Sequence, residues 1–358
     1  MSATILHVVG ARPNFPKLAP VYHALRRRGV KQVVVHTGQH YDDLLSDSFF
    51  RLLEIPEPEI NLAVGSCSHA QQTARIMERI EPVLIERRPA WTVVYGDVNS
   101  TAASALVASK LGLRVAHVEA GLRSFDRAMP EEINRMVTDR LSDLLFTPSP
   151  DADENLRAEG VPRERVVFVG NVMIDSLCRA LPHADAAETR SRYGIGEHAV
   201  IVTLHRPSNV DDPARLARLA AALGEIGRDG PVFFPLHPRT RRMLESNGLS
   251  CHGVTLHDPI PYLDMLALVR GARGVITDSG GLQEETSVLG VPCLTVRYNT
   301  ERPITISEGT NRLVPEPEDL VAALAAARRP DRVPTIDGWD GAAGERVAEA
   351  LHSRLDTA

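Results

Sequence analysis

Three kinds of sequence feature are scarce in this 358-residue chain, and each scarcity narrows the class of protein. The four cysteines show no Cys-x-x-Cys spacing, which predicts neither a disulfide framework nor a zinc site and fits a reducing, cytoplasmic compartment. No apolar run approaches the roughly 18 to 20 residues that would span a bilayer, so we expect no membrane partner. Basic residues are not in excess, since the net charge is −6, and this argues against a nucleic-acid partner.

The glycine-rich dinucleotide fingerprint is also missing. The first predicted strand, Ile5–Val9, runs into Gly10-Ala11-Arg12-Pro13-Asn14-Phe15-Pro16-Lys17, where the Gly-x-Gly-x-x-Gly spacing does not occur. An enzyme that transfers hydride from a nicotinamide cofactor is therefore disfavoured. Gly10 would let a backbone approach a ligand closely, and Arg12 and Lys17 could supply positive charge for phosphates. A rigid turn with solvated charges is the alternative.

Short β-branched runs alternate with Ala- and Leu-rich stretches, which predicts an α/β fold with parallel sheets covered by helices on both faces. The alternation restarts at Val200–Leu204, so we predict two doubly wound, Rossmann-like domains that face a central cleft. The first comprises residues 1–172 and is joined by a C-terminal helix within 342–358, and the second comprises residues 173–341. The predicted strands include Ile5–Val9, Gln32–Thr37, Thr92–Tyr95, Arg114–Val118, Arg165–Val169, Val200–Leu204, Val232–Pro235, Gly274–Thr277 and Cys293–Val296. The predicted helices include Leu18–Arg28, Thr101–Leu111, Glu131–Leu141 and Ala343–Leu355.

Carboxylates follow two strands of the first predicted domain. Asp97 comes after Thr92–Tyr95 and Glu119 after Arg114–Val118, within one strand–helix–strand unit, so both should reach the same edge of the sheet. Two converging acids raise the pKa of at least one of them, which suits proton transfer near neutral pH. Asp97 alone could instead cap the following helix. Glu131 follows a proline, and a plain helix start explains it better than a functional role does.

The second predicted domain carries the sharpest local motif, Thr277-Asp278-Ser279-Gly280-Gly281-Leu282-Gln283-Glu284-Glu285. A strand leads into Ser-Gly-Gly and opens a helix that stops at Gly290, so backbone N–H groups at the helix start predict an anion site. Glu285 could accept hydrogen bonds from ribose hydroxyls, and Arg302 adds a guanidinium after the next strand. A glycine turn needed only for packing is the alternative. His205, at the end of Val200–Leu204, could meet a diphosphate or donate a proton, although a lone histidine there is more often structural.

Taken in order, these motifs resemble those of the non-hydrolysing UDP-N-acetylglucosamine 2-epimerases, which have a glycosyltransferase-B-like fold. The matching segments are Gly10–Lys17, Thr37–His40, Gly96-Asp97, His117–Arg123, Pro130–Arg135, Gly170-Asn171, His205-Arg206, Thr277–Glu285 and Thr300–Pro303. The resemblance implies that UDP is eliminated anti across C1–C2 of a UDP-sugar, which leaves a 2-acetamidoglucal. UDP then adds back while C2 is protonated from the other face. The resemblance implies no cofactor and a homodimer, and no metal cluster is visible in the sequence.

The resemblance also implies a role for each candidate residue. The implied catalytic residues are Asp97, Glu119, Glu131 and His205, of which His205 assists departure and return of the diphosphate. The implied UDP-binding residues are Arg12, Lys17, Met265, Ser279, Gly280, Gly281, Glu285 and Arg302, with Met265 where the family has a phenylalanine on the uridine side. The segment Gln39-His40-Tyr41-Asp42-Asp43 departs from the Gln-His-Arg of many bacterial members, in which it belongs to a site where substrate acts as activator.

Three other functions share parts of this pattern. A hydrolysing epimerase shares the fold and the elimination step and differs only in that water captures the intermediate. A retaining glycosyltransferase shares the nucleotide-sugar site, but it does not need several acids around C2 such as Asp97 and Glu119. A catalytically dead sensor of nucleotide sugars is disfavoured, because every candidate acid is present.

Overall fold

The computed structural model describes residues 3–10, 14–38 and 53–355. The chain divides into two compact units. One consists of Met1–Cys178 together with Asp337–Ala358, and the other of Arg179–Ile336. Each unit has a parallel sheet of its own among the described residues. The assignment of the carboxylates to one domain and of UDP binding to the other stays a prediction.

The sheet of the first unit has the strand order β3-β2-β1-β4-β5-β6-β7, and all its described neighbours pair in parallel. The order turns between β1 and β4, and a reversal of this kind opens a crevice at the carboxyl ends of the strands. The strands are β1 Thr4–Val9, β2 Lys31–His36, β3 Ile60–Asn61, β4 Trp91–Tyr95, β5 Val115–Val118, β6 Leu144–Thr147 and β7 Val166–Phe168.

Helices cover this sheet and share its core. Leu6 and Val94 of the sheet, Ile76 and Ile80 of one helix and Ala105 of another belong to the same buried cluster. The helices are Asn14–Arg27, His69–Arg87, Asn99–Lys110, Pro130–Leu141, Pro150–Ala158, Val172–Ala180 and Ala343–His352. In the described part of the chain, no helix is both long and apolar enough to cross a membrane.

The sheet of the second unit repeats this plan with the order β10-β9-β8-β11-β12-β13, and its turning point lies between β8 and β11. The strands are β8 Val200–Thr203, β9 Val232–Pro235, β10 Val254–His257, β11 Gly274–Thr277, β12 Cys293–Thr295 and β13 Asn311–Leu313. The helices are Ala186–Tyr193, Pro207–Val210, Pro213–Asp229, Pro238–Ser246, Tyr262–Gly271, Gly280–Leu289, Ile304–Ser307 and Leu320–Ala326.

The predicted strands occur within one residue of their observed bounds, whereas three helix ends were wrong by two residues or more. The helix predicted to begin at Thr101 begins at Asn99. The helix predicted to begin at Leu18 begins at Asn14, since prolines are tolerated in a first turn, where backbone N–H groups have no helical partner. The Asn14 side chain also steadies this start, because its Oδ1 accepts from Gly10 N at 3.1 Å. The terminal helix predicted to reach Leu355 ends at His352.

The last part of the chain packs on the first unit through close backbone approaches. Trp339 Nε1 donates to the Pro148 carbonyl at 2.9 Å, and the Asp175 carboxylate accepts from the Gly344 amide at 2.7 Å. The backbones of Gly170 and Gly338 are in direct contact. A Cβ on Gly170 would lie 1.9 Å from the Gly338 oxygen, so no side chain fits there. This contact requires glycine for reasons of space as well as of backbone conformation.

We expect Gly170→Ala to destabilise the first unit far more than Gly112→Ala. Both glycines have positive φ, 84° and 70°, so both variants meet the strain of about 1 to 3 kcal/mol for a left-handed non-glycine residue. Only at Gly170 does the new Cβ overlap the backbone, since nothing lies within 4 Å of a Cβ at Gly112. Urea unfolding of both variants measures the difference. Equal losses would mean that the Gly170–Gly338 contact does not hold the C-terminal segment.

Candidate active site

Glu119 and Lys17 form a buried ion pair at the carboxyl edge of the first sheet. Glu119 leaves β5 with a φ of 73°, a left-handed conformation that non-glycine residues adopt only where the surroundings enforce it. Gly96, which follows β4, lies against the pair: a Cβ there would be 2.6 Å from Lys17 Nζ and 3.0 Å from Glu119 Oε2. The lysine that the sequence offered to phosphates therefore contacts one of the candidate acids.

Asp97 is held by the helix Pro130–Leu141. Arg135 Nη1 donates to Asp97 Oδ2 at 2.5 Å, and Asn134 Nδ2 donates to the Asp97 carbonyl at 2.9 Å. The Arg135 side chain is buried, whereas that of Asp97 is 27% exposed. A charge-assisted hydrogen bond of this kind fixes the direction of a carboxylate. The Asp97 carboxylate is thus both oriented and accessible to a ligand.

The two acids at the start of the same helix differ in environment. Glu132 is buried and accepts from the amides of Ser124 and Phe125, each at 2.9 Å, and from Arg135. Burial alone would raise the pKa of Glu132, but the Ser124 and Arg135 donors lower it below its ordinary value. Glu132 therefore shapes the preceding loop. Glu131 is exposed, and its catalytic role stays a prediction.

His205 and Asp278 form the centre of the equivalent edge in the second unit. His205 Nδ1 lies 3.0 Å from Asp278 Oδ1, and the same carboxylate accepts from the amides of His205 and Arg206 and from Asn209 Nδ2. Burial would raise the pKa of Asp278, but His205 and the other donors lower it below its usual range. Asp278 therefore orients the His205 ring and leaves Nε2 for a ligand. The ring of His237 lies 5.7 Å from that of His205 between centroids.

The Ser-Gly-Gly turn opens the helix Gly280–Leu289, which ends at Gly290, as the sequence predicted; Ser279 is the N-cap residue. A Cβ on Gly280 would lie 2.5 Å from Arg302 Nη1, whereas nothing lies within 4 Å of one on Gly281. Arg302 Nε donates to Glu284 at 2.6 Å, and its Nη1 contacts Glu301. Arg302 is thus fixed by two carboxylates beside the glycine turn.

Glu285 and Met265 extend the site along two helices. Tyr262 donates its hydroxyl to Glu285 Oε1 at 2.9 Å. Met265 follows Tyr262 by three residues, which puts both on one side of the helix Tyr262–Gly271, and it packs on the buried cluster that includes Leu282. Burial raises the pKa of Glu285 to about 7; the Tyr262 hydrogen bond lowers it and the charge of Glu284 raises it.

Two sequence predictions fall on residues that the structure does not describe, Arg12 and Gln39–Asp43. Conversely, sequence reasoning missed the contacts that hold the candidate residues in place: Lys17 pairs with Glu119, Arg135 with Asp97 and Asp278 with His205. All three partners stand inside the matched motifs, so their motif membership was the available signal. Among the described residues, no cluster of three or more His, Cys, Asp or Glu could hold a metal ion.

A family model described as UDP-N-acetylglucosamine 2-epimerase matches residues 23–352 of this chain. The UDP-N-acetylglucosamine 2-epimerase of Methanocaldococcus jannaschii is 40% identical over 356 residues, which cover 96% of this chain and 97% of that protein. The chain belongs to the UDP-N-acetylglucosamine 2-epimerase family. The UDP-2,3-diacetamido-2,3-dideoxy-D-glucuronate 2-epimerase of Pseudomonas aeruginosa is 42% identical over 354 residues, covering 97% of this chain and 99% of that one. The resemblance read from the motifs is confirmed, and the chain is an epimerase.

Solved structures of the family agree with the fold. A crystal structure of the M. jannaschii UDP-GlcNAc 2-epimerase in complex with UDP-GlcNAc and UDP has a TM-score of 0.91 and 39% identity, with 98% of this chain and 99% of that chain covered. The Neisseria meningitidis UDP-GlcNAc 2-epimerase bound to UDP-GlcNAc has a TM-score of 0.88 and 28% identity, over 98% of this chain and 100% of that one. The predicted α/β class with two doubly wound sheets, glycosyltransferase-B-like, is confirmed.

The raised pKa of Glu285 predicts how stability depends on pH. A carboxyl whose pKa rises on folding, here from 4.5 to about 7, contributes stability that is complete below pH 4.5 and is lost as pH rises through about 7. A glutamine side chain cannot ionise, so Glu285→Gln should gain stability relative to the wild type between pH 5 and pH 8, by on the order of 3 kcal/mol. Thermal unfolding across this range measures the gain. Glu197→Gln, at a side chain that is 76% exposed, is the control and should show no such trend.

Proposed function

We propose that the enzyme interconverts UDP-N-acetylglucosamine and UDP-N-acetylmannosamine by eliminating UDP and adding it back. One observation carries the proposal: the two sheets offer complementary chemistry at their carboxyl edges. The first edge presents the carboxylates Asp97 and Glu119, and the second presents the helix start at Gly280 beside Arg302. Elimination needs both, because a proton must leave C2 while the diphosphate must leave C1.

The carboxylates of the first unit divide the proton transfers in this proposal. Asp97, held by Arg135, and Glu119, paired with Lys17, are acids or bases on opposite steps of the cycle. Glu131 is the third candidate, and its exposure at the helix start leaves it accessible to substrate. Lys17 contributes by balancing the buried charge of Glu119, since an unpaired buried carboxylate is strongly disfavoured. Arg12 remains a UDP ligand in the proposal through its motif alone.

The second unit binds UDP in this proposal. Backbone N–H groups at Ser279, Gly280 and Gly281 meet the diphosphate, since a helix start favours anions. Arg302 adds its fixed guanidinium, and Glu285 and Met265 lie further along for the ribose and the uracil base. His205 acts on the leaving diphosphate, because Asp278 holds its Nδ1 and so directs Nε2 outward. No redox cofactor takes part, since the intermediate is an alkene rather than a ketone.

A relative of this chain points to a second candidate substrate. The Pseudomonas relative that acts on UDP-2,3-diacetamido-2,3-dideoxy-D-glucuronate is 42% identical, close to the 40% of the M. jannaschii enzyme. Both names describe inversion at C2 of a 2-acetamido UDP-sugar. The proposed chemistry is therefore common to the two, and substituents at C3 and C6 distinguish them.

Incubation in D2O tests the reaction directly. The proton at C2 is removed and replaced, so we expect both epimers to carry deuterium at C2, with no added cofactor. Proton NMR of the products measures this. Asp97→Asn, Glu119→Gln and Glu131→Gln should each lower kcat by on the order of 10²-fold, with UDP binding changed much less.

Four results would revise the proposal. Epimers that keep their original C2 hydrogen would exclude the elimination mechanism. Stoichiometric free sugar and UDP would identify the hydrolysing reaction, and turnover of the diacetamido uronate alone would reassign the substrate. Near-full turnover of Glu131→Gln would return that residue to a helix-start role.

A cytoplasmic homodimer is part of the proposal. Its four cysteines, all within the described residues, are unpaired, as in proteins of reducing compartments. The Ala-rich helix Asn99–Lys110 is mostly buried within the unit, so it is not the contact surface. The next helix exposes Ile133 and Val137, which are 38% and 40% exposed and lie four residues apart on one face. We assign this face to a second copy.

Light scattering at micromolar concentration should give the mass of a dimer. Val137→Glu should convert it to a monomer, because the contact would bury an unpaired charge. Val333→Glu is the matched control, since Val333 is also exposed but lies in the second unit. A monomeric wild type, or a Val137→Glu variant that stays dimeric, would contradict this assignment.

A further inference from the structure

A buried histidine links the helix Pro130–Leu141 to the turn before Asp97. His117 lies in β5 and is fully buried. Its Nδ1 lies 2.6 Å from Asp139 Oδ1, and its Nε2 lies 2.8 Å from the carbonyl oxygen of Gly96. The other residues of β5 are apolar, so His117 is the one polar side chain of this strand. Its ring is hydrogen-bonded through both nitrogens inside the sheet.

The hydrogen bonds define the charge of this ring. A carbonyl oxygen only accepts, so Nε2 must carry a proton. Asp139 Oδ2 accepts from the Gly121 amide at 3.1 Å and pairs with Arg123 at 2.7 Å, which favours the ionised carboxylate. Burial alone would raise the pKa of Asp139, but His117 and Arg123 lower it below its ordinary value. An ionised Asp139 also only accepts, so Nδ1 carries a proton as well.

The charges of the cluster balance if the ring is an imidazolium. Arg123 donates from Nε and Nη2 to both oxygens of Glu159, at 2.7 and 2.8 Å. Two cations, His117 and Arg123, are then matched by two anions, Asp139 and Glu159. A neutral ring has a proton on only one nitrogen, so it would leave either Asp139 Oδ1 or the Gly96 carbonyl without its donor, and unsatisfied buried acceptors are disfavoured.

His7 provides a contrast within the same sheet. It is fully buried in β1, but its Nδ1 faces the Tyr95 hydroxyl at 2.7 Å, and a hydroxyl can donate. Its Nε2 faces Gln32 Oε1 at 3.0 Å. Burial lowers the pKa of His7 to about 4, although the Gln32 hydrogen bond acts in the opposite direction. His7 is therefore a neutral ring in a similar position, and only the partners differ.

We propose that His117 is a positioning residue. Its ring is an imidazolium that donates one hydrogen bond to Asp139 and the other to the Gly96 carbonyl, and it thereby fixes the turn that leads into Asp97. The inference rests on the proposed function, in which Asp97 transfers a proton. The same helix reaches this turn in two further places, through Asn134 at the Asp97 carbonyl and Arg135 at the Asp97 carboxylate. Three hydrogen bonds in succession thus fix the Gly96-Asp97 dipeptide.

The orientation of the Gly96 carbonyl determines where Asp97 lies. Gly96 has a φ of 63°, and a Cβ there would meet Lys17 Nζ and Glu119 Oε2. A rotation of the Gly96-Asp97 peptide would therefore move Asp97 relative to Glu119. A misplacement of about 1 Å can lower turnover by on the order of 10²-fold without loss of binding. A neutral ring would hold the carbonyl less firmly, because charge-assisted hydrogen bonds are roughly twice as strong.

The charge of the ring can be measured without activity. In the full-length protein labelled with ¹⁵N-histidine, His117→Gln and His7→Asn identify the two signals by their loss. At pH 7 we expect both ring nitrogens of His117 to be protonated and those of His7 to show one protonated and one unprotonated nitrogen. A neutral His117 ring overturns the proposal. This result does not depend on whether the wild type shows C2 exchange, so it separates this proposal from the proposed function.

Two variants separate positioning from packing. The amide nitrogen of a glutamine reaches the place of Nε2 and that of an asparagine the place of Nδ1, so only His117→Gln keeps a donor for the Gly96 carbonyl. We expect His117→Asn to lower kcat by on the order of 10²-fold with KM changed less than about threefold. His117→Gln should recover at least about a tenth of wild-type kcat. His7→Asn, the matched buried control, should leave kcat unchanged.

The outcomes are read together with thermal unfolding. A kcat loss in His117→Asn that exceeds the loss in His117→Gln at similar stability supports positioning. Equal kcat losses in both variants that follow stability alone would make His117 a packing residue. If His117→Asn fails to fold, Asp139→Asn tests the same point, because removing the counter-charge should neutralise the His117 ring in the ¹⁵N spectrum and lower kcat. A ring that stays charged in Asp139→Asn overturns the proposal.

Discussion

A carboxylate that is buried must be surrounded by donors, and the loops of this enzyme are shaped around that requirement. Asp278 gathers two backbone amides, Asn209 and His205; Glu132 gathers the amides of the loop at Ser124. Asp139 joins His117, Arg123 and Gly121, and Asp175 accepts from the start of the last helix. Removing one donor from any of these sets would leave a buried negative charge partly uncompensated, which costs stability. The loops near the candidate acids are therefore held in place by other, buried carboxylates that the proposal does not use in catalysis.

The two units share one sheet topology but place groups of opposite charge at the carboxyl ends of their strands. Both sheets turn direction beside their first strand, at β1/β4 and at β8/β11, so both offer a crevice at the same structural place. In the first unit that place is lined by Asp97 and Glu119. In the second it is lined by a glycine-rich helix start, and Arg206, Arg297 and Arg302 gather around Glu301. Burial would raise the pKa of Glu301, but these arginines hold it well below its usual range, so the cluster stays charged.

The sequence predicted the sheets well because the strands are buried on both faces and read as continuous β-branched runs. It also predicted that Asp97 and Glu119 follow strands and that the glycine turn opens a helix, because strand ends and helix starts can be read from neighbouring residues. It could not predict that Lys17 pairs with Glu119, 102 residues away, or that Asp139 meets His117. Such contacts depend on how helices pack on the sheet, which no local pattern encodes. Glu131 shows the converse case. The motif implies a catalytic role, but the residue is exposed and its position alone does not indicate one.

The chain crosses between the two units twice, near Cys178 and again near Ile336. The second unit is therefore a continuous stretch, whereas the first is assembled from two stretches separated by 158 residues of sequence. During synthesis the second unit can complete its core as soon as Ile336 has left the ribosome. The first cannot make its Trp339–Pro148 or Asp175–Gly344 contacts until the following segment has emerged. The unit that carries the candidate acids is thus the last to be finished, because its two stretches meet only after the second unit has been translated.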